Sequence, residues 1–164
     1  MNEPTLESIY ARHRKALLAL ALSVTGDVAR AEDAVHDAFE RLCRIGLARA
    51  EDVTAYVFAA VRHSAIDQTR RHRPGGEFTE SSCSIFQEPA CGPVHNVLSA
   101  ERDRLLAESI NALPREMREA VVLRAFAGLS FAQIARVVDA PLATIATRYR
   151  RALDRLRERL ENLV

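Results

Sequence analysis

Apolar residues in this chain recur at the spacing of a helix, segment after segment, between Gly and Pro stops. After Asp27, a residue suited to capping a helix, Ala31, Ala34, Val35, Ala38, Phe39, Leu42 and Ile45 form one stripe that ends at Gly46. Before it, Leu6, Ile9, Tyr10, Leu17, Leu20, Ala21 and Val24 repeat the pattern between Thr5 as cap and Gly26 as stop. A third helical stretch follows Asp52 and ends near His72, at the breaker run Arg73-Pro74-Gly75-Gly76. With no Trp, nine aromatics and six Gly, the composition is poor in what strands and turns consume, and an all-α fold is expected.

Residues 77–97 have no helical period and carry Pro89, Gly92, Pro93, three serines and the acids Glu77, Glu80 and Glu88. Such a linker could reach about 70 Å when extended, so the halves it joins need not touch. Two small helical domains joined by a flexible linker are therefore expected, over 1–75 and 98–164, with the linker at 76–97. The second half reads as a helix from about Ser99 to Asn111, then one opened by Pro114 and stopped by Gly128. Ser130 and Gln133 form a capping-box pattern for a short helix to Val138. A turn at Asp139-Ala140-Pro141 leads into a long last helix, and this outline is a helix-turn-helix.

Charge narrows the partners. The 23 basic and 22 acidic residues leave a net charge of +1, so any grip on nucleic acid must be local. Cys43, Cys83 and Cys91 are too few for a disulfide framework, and the start of the chain has no apolar signal region. The longest apolar run, Ala16 to Leu22, is far short of the roughly 20 residues of a membrane span, so a cytoplasmic chain with no membrane insertion is expected.

On the last helix, Ile145, Tyr149, Ala152, Leu153, Leu156 and Leu160 share one face. Thr144, Thr147, Arg148, Arg151 and Arg155 share another, pointing outward. Hydroxyls beside guanidinium groups suit base edges and phosphates, although a merely solvated face has the same pattern. Arg62, Arg70, Arg71 and Arg73, with His63 and His72, make a second basic patch, which a helix C-terminus would favour on dipole grounds alone. The second helix is acidic on its outer side: Glu32, Asp33, Asp37 and Glu40, with His36 among them, either dock on a basic partner or are simply solvated.

Enzyme chemistry has no foothold: there is no Gly-rich phosphate loop, no His-Glu-x-x-His and no nucleophile elbow. Cys83, Cys91 and His95 match no standard zinc spacing and are one ligand short, so no metal and no cofactor is expected. His13, on the apolar side of the first helix, reads as a core histidine.

The string LPREMREAVVLRAFAGLSFAQIA over 113–135, followed by ATIATRYRRALDRL over 143–156, closely resembles domain four of extracytoplasmic-function RNA polymerase sigma factors. TGD at 25–27, AEDAVHDAF at 31–39 and YVFAAVRHSAIDQTRR at 56–71 resemble domain two of the same family, in the same order along the chain. The resemblance implies a protein that is not an enzyme but binds core RNA polymerase and directs it to promoter DNA. It assigns polymerase docking to Glu32, Asp33, His36 and Asp37. It assigns the melted minus-ten strand to Arg62, His63, Asp67, Arg70 and Arg71, and the minus-thirty-five duplex to Thr144, Thr147, Arg148, Arg151 and Arg155. The chain departs from the family pattern at Asp139 and Pro141, where a glycine turn and serine cap are usual. It departs again at Ala146, Tyr56 and His63, where lysine, tryptophan and asparagine are common. The family also implies an anti-sigma partner, and the free chain is expected to be monomeric. Two other readings remain open at this level: a stand-alone helix-turn-helix regulator, and a sigma-like protein acting only through protein contacts.

Overall fold

A computed structural model describes residues 4–72 and 97–163, and within them every regular element is helical. The first unit comprises α1 (Leu6–Thr25), α2 (Val28–Ile45) and α3 (Val53–Arg71). The second comprises α4 (Val97–Asn111), α5 (Arg115–Val121), α6 (Phe131–Val138) and α7 (Leu142–Glu161). The expected linker, with Cys83, Cys91 and His95, lies outside the described residues, except that its last position, Val97, already opens α4. None of the described helices is long and apolar enough to cross a membrane.

Most helix ends follow from local chemistry. Thr5 accepts from the Ser8 amide at 3.2 Å to open α1, and Asp52 accepts from the Ala55 amide at 3.0 Å to open α3. The capping box of α6 forms in full: the Gln133 amide donates to Ser130 Oγ at 3.1 Å, and Gln133 Oε1 accepts from the Ser130 amide at 2.9 Å. Asp27 behaves differently from the expected cap. Its carboxylate makes no bond to the start of α2 and stands 3.8 Å from Arg30 instead. Pro114 and Pro141 both sit one residue before their helices, because their extended ψ of 145° and 144° cannot belong to a helical turn.

The helix stopped by Gly128 is not uniform. After Val121 it widens into a π-helical turn over Val122–Phe126, with the Ala127 amide reaching back to the Val122 carbonyl at 3.1 Å. The consecutive residues Val121, Val122 and Leu123 at its start are all buried.

The halves are not independent. One continuous core runs from Leu17, Leu20, Ala34, Val57, Phe58 and Val61 of the first unit to Val122, Leu123, Leu129, Ile134 and Val137 of the second. Helix α6 lies on α3, and the π-helical turn and α5 lie on α1. A smaller core of Ile110, Leu113, Val121, Ala152 and Leu156 joins α4, α5 and α7. The linker would not require the halves to touch, yet they pack directly, because α5 and α6 each have apolar surface left over after α7 is covered.

In the first core, His13 meets Phe58 edge-on, ring centroids 5.4 Å apart. Burial, with a smaller push from the Arg12 guanidinium, lowers its pKa below the ordinary 6.5. A depressed imidazole takes up its proton later in the folded state than in the unfolded one. Stability is therefore expected to be flat above pH 6.5 and to fall as pH drops below it, a loss that His13→Leu removes, as urea titrations across that range would read. Asp139 is the one non-glycine residue in the described chain with positive φ, at 53°, and it is exposed. Left-handed backbone costs an L-residue about 1 kcal/mol. Asp139→Gly is expected to recover a good part of that in thermal melts, and Asp139→Val to lower stability by a similar amount.

Candidate nucleic-acid interface

The C-terminal helix is placed by its apolar stripe and by a stack of rings. Ile145, Ala152 and Leu156 are buried, and Tyr149 packs edge-on against Phe131 of α6 at 5.5 Å. The Arg124 guanidinium covers the other ring partner, 4.9 Å from the Phe131 centroid, while its Nη1 donates to the Leu129 carbonyl at 3.0 Å. These contacts fix the angle between α6 and α7. Leu153, expected on the buried face, is 45% exposed. It lies at the outer edge of the stripe, about 80° from Ile145 at 100° per residue, beyond what α4 and α5 cover.

Thr144, Thr147, Arg148 and Arg151 line one open cleft with Pro114, Glu116, Met117 and Ala143, between the starts of α5 and α7. Their freedom differs. Arg151 is exposed, whereas Arg148 Nη2 stands 3.3 Å from Glu116 Oε2, and Thr147 Oγ1 donates to the Ala143 carbonyl at 2.9 Å. Arg155 is exposed one turn further along, outside the cleft. Asp139 takes the left-handed turn that glycine usually supplies, and Pro141 starts α7 without a side-chain cap, so the departures from the family pattern still deliver a helix at the expected place.

On α3 the five expected residues divide. His63, Arg70 and Arg71 are exposed and Asp67 is half-buried, all within about 100° of arc. Arg62 points elsewhere, into the seam between the units, where its Nε stands 3.3 Å from Glu119 Oε2 and only 15% of its side chain is exposed. Tyr56, 42% exposed, shares the arc of His63, Asp67 and Arg70 and adds a ring to the cationic face. Its spacing of 7, 11 and 14 residues to those three was the signal available in the sequence.

On α2, Glu32, Asp33, His36 and Glu40 are exposed. Asp37 is drawn inward, accepting from Gln68 Nε2 of α3 at 2.9 Å, so it braces the bundle rather than standing free. Glu32, Asp33 and His36, with Glu7 and Arg14 of α1, rim an apolar groove of about 720 Å³ lined by Leu6, Tyr10, Leu18, Phe39 and Cys43, in which Tyr10 and Phe39 meet edge-on at 5.2 Å. Charge patterning alone had marked the rim and missed the groove. Among the described residues no His, Cys, Asp and Glu cluster is placed to hold a metal.

Residues 9–74 match the family description "Sigma-70 region 2", and residues 103–156 match "Sigma-70, region 4". A relative in Xanthomonas campestris pv. campestris, "Probable RNA polymerase sigma factor RfaY", is 29% identical over 154 residues, 90% of this chain. The "ECF RNA polymerase sigma-E factor" of Haemophilus influenzae is 32% identical over 72 residues, 44% of this chain. Each match spans 38% of the relative's own length. Among solved structures, the sigma factor RpoE in complex with the anti-sigma factor NepR, from Bartonella quintana, superposes with a TM-score of 0.68 at 24% identity, covering 94% of this chain and 96% of that one. With both regions present in order, around the helix-turn-helix and the basic and acidic faces described above, the chain belongs to the sigma-70 family of RNA polymerase sigma factors, in its extracytoplasmic-function group.

Proposed function

We propose that the protein binds core RNA polymerase in the cytoplasm and directs it to promoter DNA, with residues 1–75 and 98–164 as its two working units and 76–97 as their connection. The observation that carries this reading is the segregation of charge in a chain of net +1: an acidic, groove-bearing α2 at one place and bare cations on α3 and α7 at others. A stand-alone DNA-binding regulator would have no use for the first of these. Thr144, Thr147, Arg148 and Arg151, in one cleft with Arg155 beyond it, suit the major groove of the minus-thirty-five duplex. Tyr56, His63, Arg70 and Arg71, with Asp67 and Arg62 beside them, suit the melted minus-ten strand, where stacking on an aromatic ring contributes about 1–3 kcal/mol per base. The acidic rim of Glu32, Asp33 and His36, steadied by Asp37, supports docking on a basic, partly apolar surface of the polymerase. The Bartonella sigma factor was solved in complex with an anti-sigma factor, which supports a protein inhibitor of that kind for this chain as well.

Run-off transcription with core enzyme and genomic fragments tests the reading directly: promoter-dependent products should require both the chain and the core. Arg151→Ala is expected to cost about 1–3 kcal/mol of discrimination at the minus-thirty-five element, roughly tenfold or more in initiation, with the thermal melt unchanged. Charge reversal of Glu32 and Asp33 together should weaken co-purification with core polymerase by tenfold or more while binding to isolated duplex DNA stays the same. Asp37 is left intact in that variant because it holds Gln68.

A further inference from the structure

Helix α5 brings a carboxylate to the cleft that Thr144, Thr147, Arg148 and Arg151 line on α7. Glu116, in the first turn of α5, is the one acid among the described residues of that lining, and its Oε2 stands 3.3 Å from Arg148 Nη2. The Glu116 side chain is 67% exposed and that of Arg148 26%, so the pair sits at the lip of the cleft. Arg150, Arg151, Arg155, Arg157 and Arg159 are exposed and meet no carboxylate at ion-pair distance among the described residues. Arg148 alone of the α7 arginines is held.

Neither stability nor general affinity accounts for this acid. An ion pair so exposed contributes little to folding, and a carboxylate facing DNA weakens binding to every sequence alike. What the pair does supply is direction. A free arginine swings among many rotamers and takes the nearest anion, which beside a duplex is a phosphate. With Nη2 held against the wall of α5, the guanidinium keeps its other N–H groups for an acceptor on the open side of the cleft. The carboxylate repels a charged phosphate more than the neutral edge of a guanine, whose O6 and N7 accept from an arginine fork.

We propose that Glu116 is a positioning residue for base readout: it aims the Arg148 guanidinium at a guanine edge and keeps it off the DNA backbone. The inference rests on the reading of Arg148 given under the proposed function, namely that this side chain meets the minus-thirty-five duplex. Glu116 itself touches no base, so its effect on sequence preference passes entirely through Arg148.

The test uses core polymerase loaded with the full chain and promoter fragments from the run-off products, with the minus-thirty-five duplex randomised. Sequencing the bound and unbound fractions gives the preference at each base pair, and repeating the binding over a salt series gives the salt slope. Glu116→Ala is expected to flatten the guanine preference at one base pair about fivefold. The same variant should bind unrelated duplexes more tightly, with a salt slope steeper by about one. Glu116→Gln keeps an acceptor oxygen at the same reach without the charge, so it should retain most of the preference and still show the steeper slope. Arg148→Ala should erase the preference at that same base pair, and adding Glu116→Ala to it should change nothing further there. Thermal melts should stay with the parent chain, because Glu116 is exposed.

Flattening at a different base pair, or additive losses in the double variant, would make Glu116 a reader in its own right and overturn the positioning role. A Gln variant as flat as the Ala variant overturns it too, by making the effect one of charge alone. So does a lowered melt with losses spread over every position. If Arg148→Ala erases a preference that Glu116→Ala leaves intact, the reading of Arg148 stands and the inference about Glu116 falls. If Arg148→Ala changes no preference, that reading falls and takes the inference with it.

Discussion

The seam where α5 and α6 lie on α1 and α3 decides more about this molecule than any other contact. Val122, Leu123, Leu129, Ile134 and Val137 complete the core begun by Leu17, Leu20, Phe58 and Val61, so neither unit has a finished interior without the other in this arrangement. Helix ends reinforce it. Asp52 uses one oxygen to cap α3 and the other to accept from Gln133, which is itself half of the capping box of α6. A single hydrogen bond thus ties together two helix starts, and the negative charge between them suits both dipoles.

That packing determines which charges are free. With nearly equal numbers of acids and bases, the chain cannot attract DNA as a whole, and its chemistry depends on where charges of one sign stand without partners. Arg151 and Arg155 are bare on α7, and Arg70 and Arg71 are bare at the end of α3. Arg62 and Arg148 each meet a glutamate of α5. Burial also pulls the Arg118 pKa down, with Glu119 beside it opposing the shift. The same helix therefore supports α7 and restrains both Arg62 and Arg148.

Much of the architecture could be read from local patterns. Thr5, Asp52, Ser130 and Gln133 mark helix starts by a mechanism that acts within four residues, and Gly26, Gly46 and Gly128 mark ends in the same way. The outward arc of Thr144, Thr147, Arg148 and Arg151 was legible because helical spacing alone puts those residues on one side, and they do share a cleft. The π-helical turn was not legible, since a run such as Val122 to Phe126 has no residue that demands it. The apolar groove beside α2 was hidden for a related reason. Tyr10 and Phe39 belong to different helices, and only their packing makes them one surface.

The amino-acid sequence by itself determined the course of the helices, the caps at Thr5, Asp52 and Ser130, the helix-turn-helix and the signs of charge along each face. All of these depend on interactions between residues a few positions apart. Tertiary structure alone decided that the halves share a core, that Asp37 braces Gln68 instead of joining the acidic face, and that Glu119 reaches Arg62 across 57 positions. Those outcomes depend on how leftover apolar surface is buried and on which charges must then find partners away from water, and neither quantity exists until the helices meet.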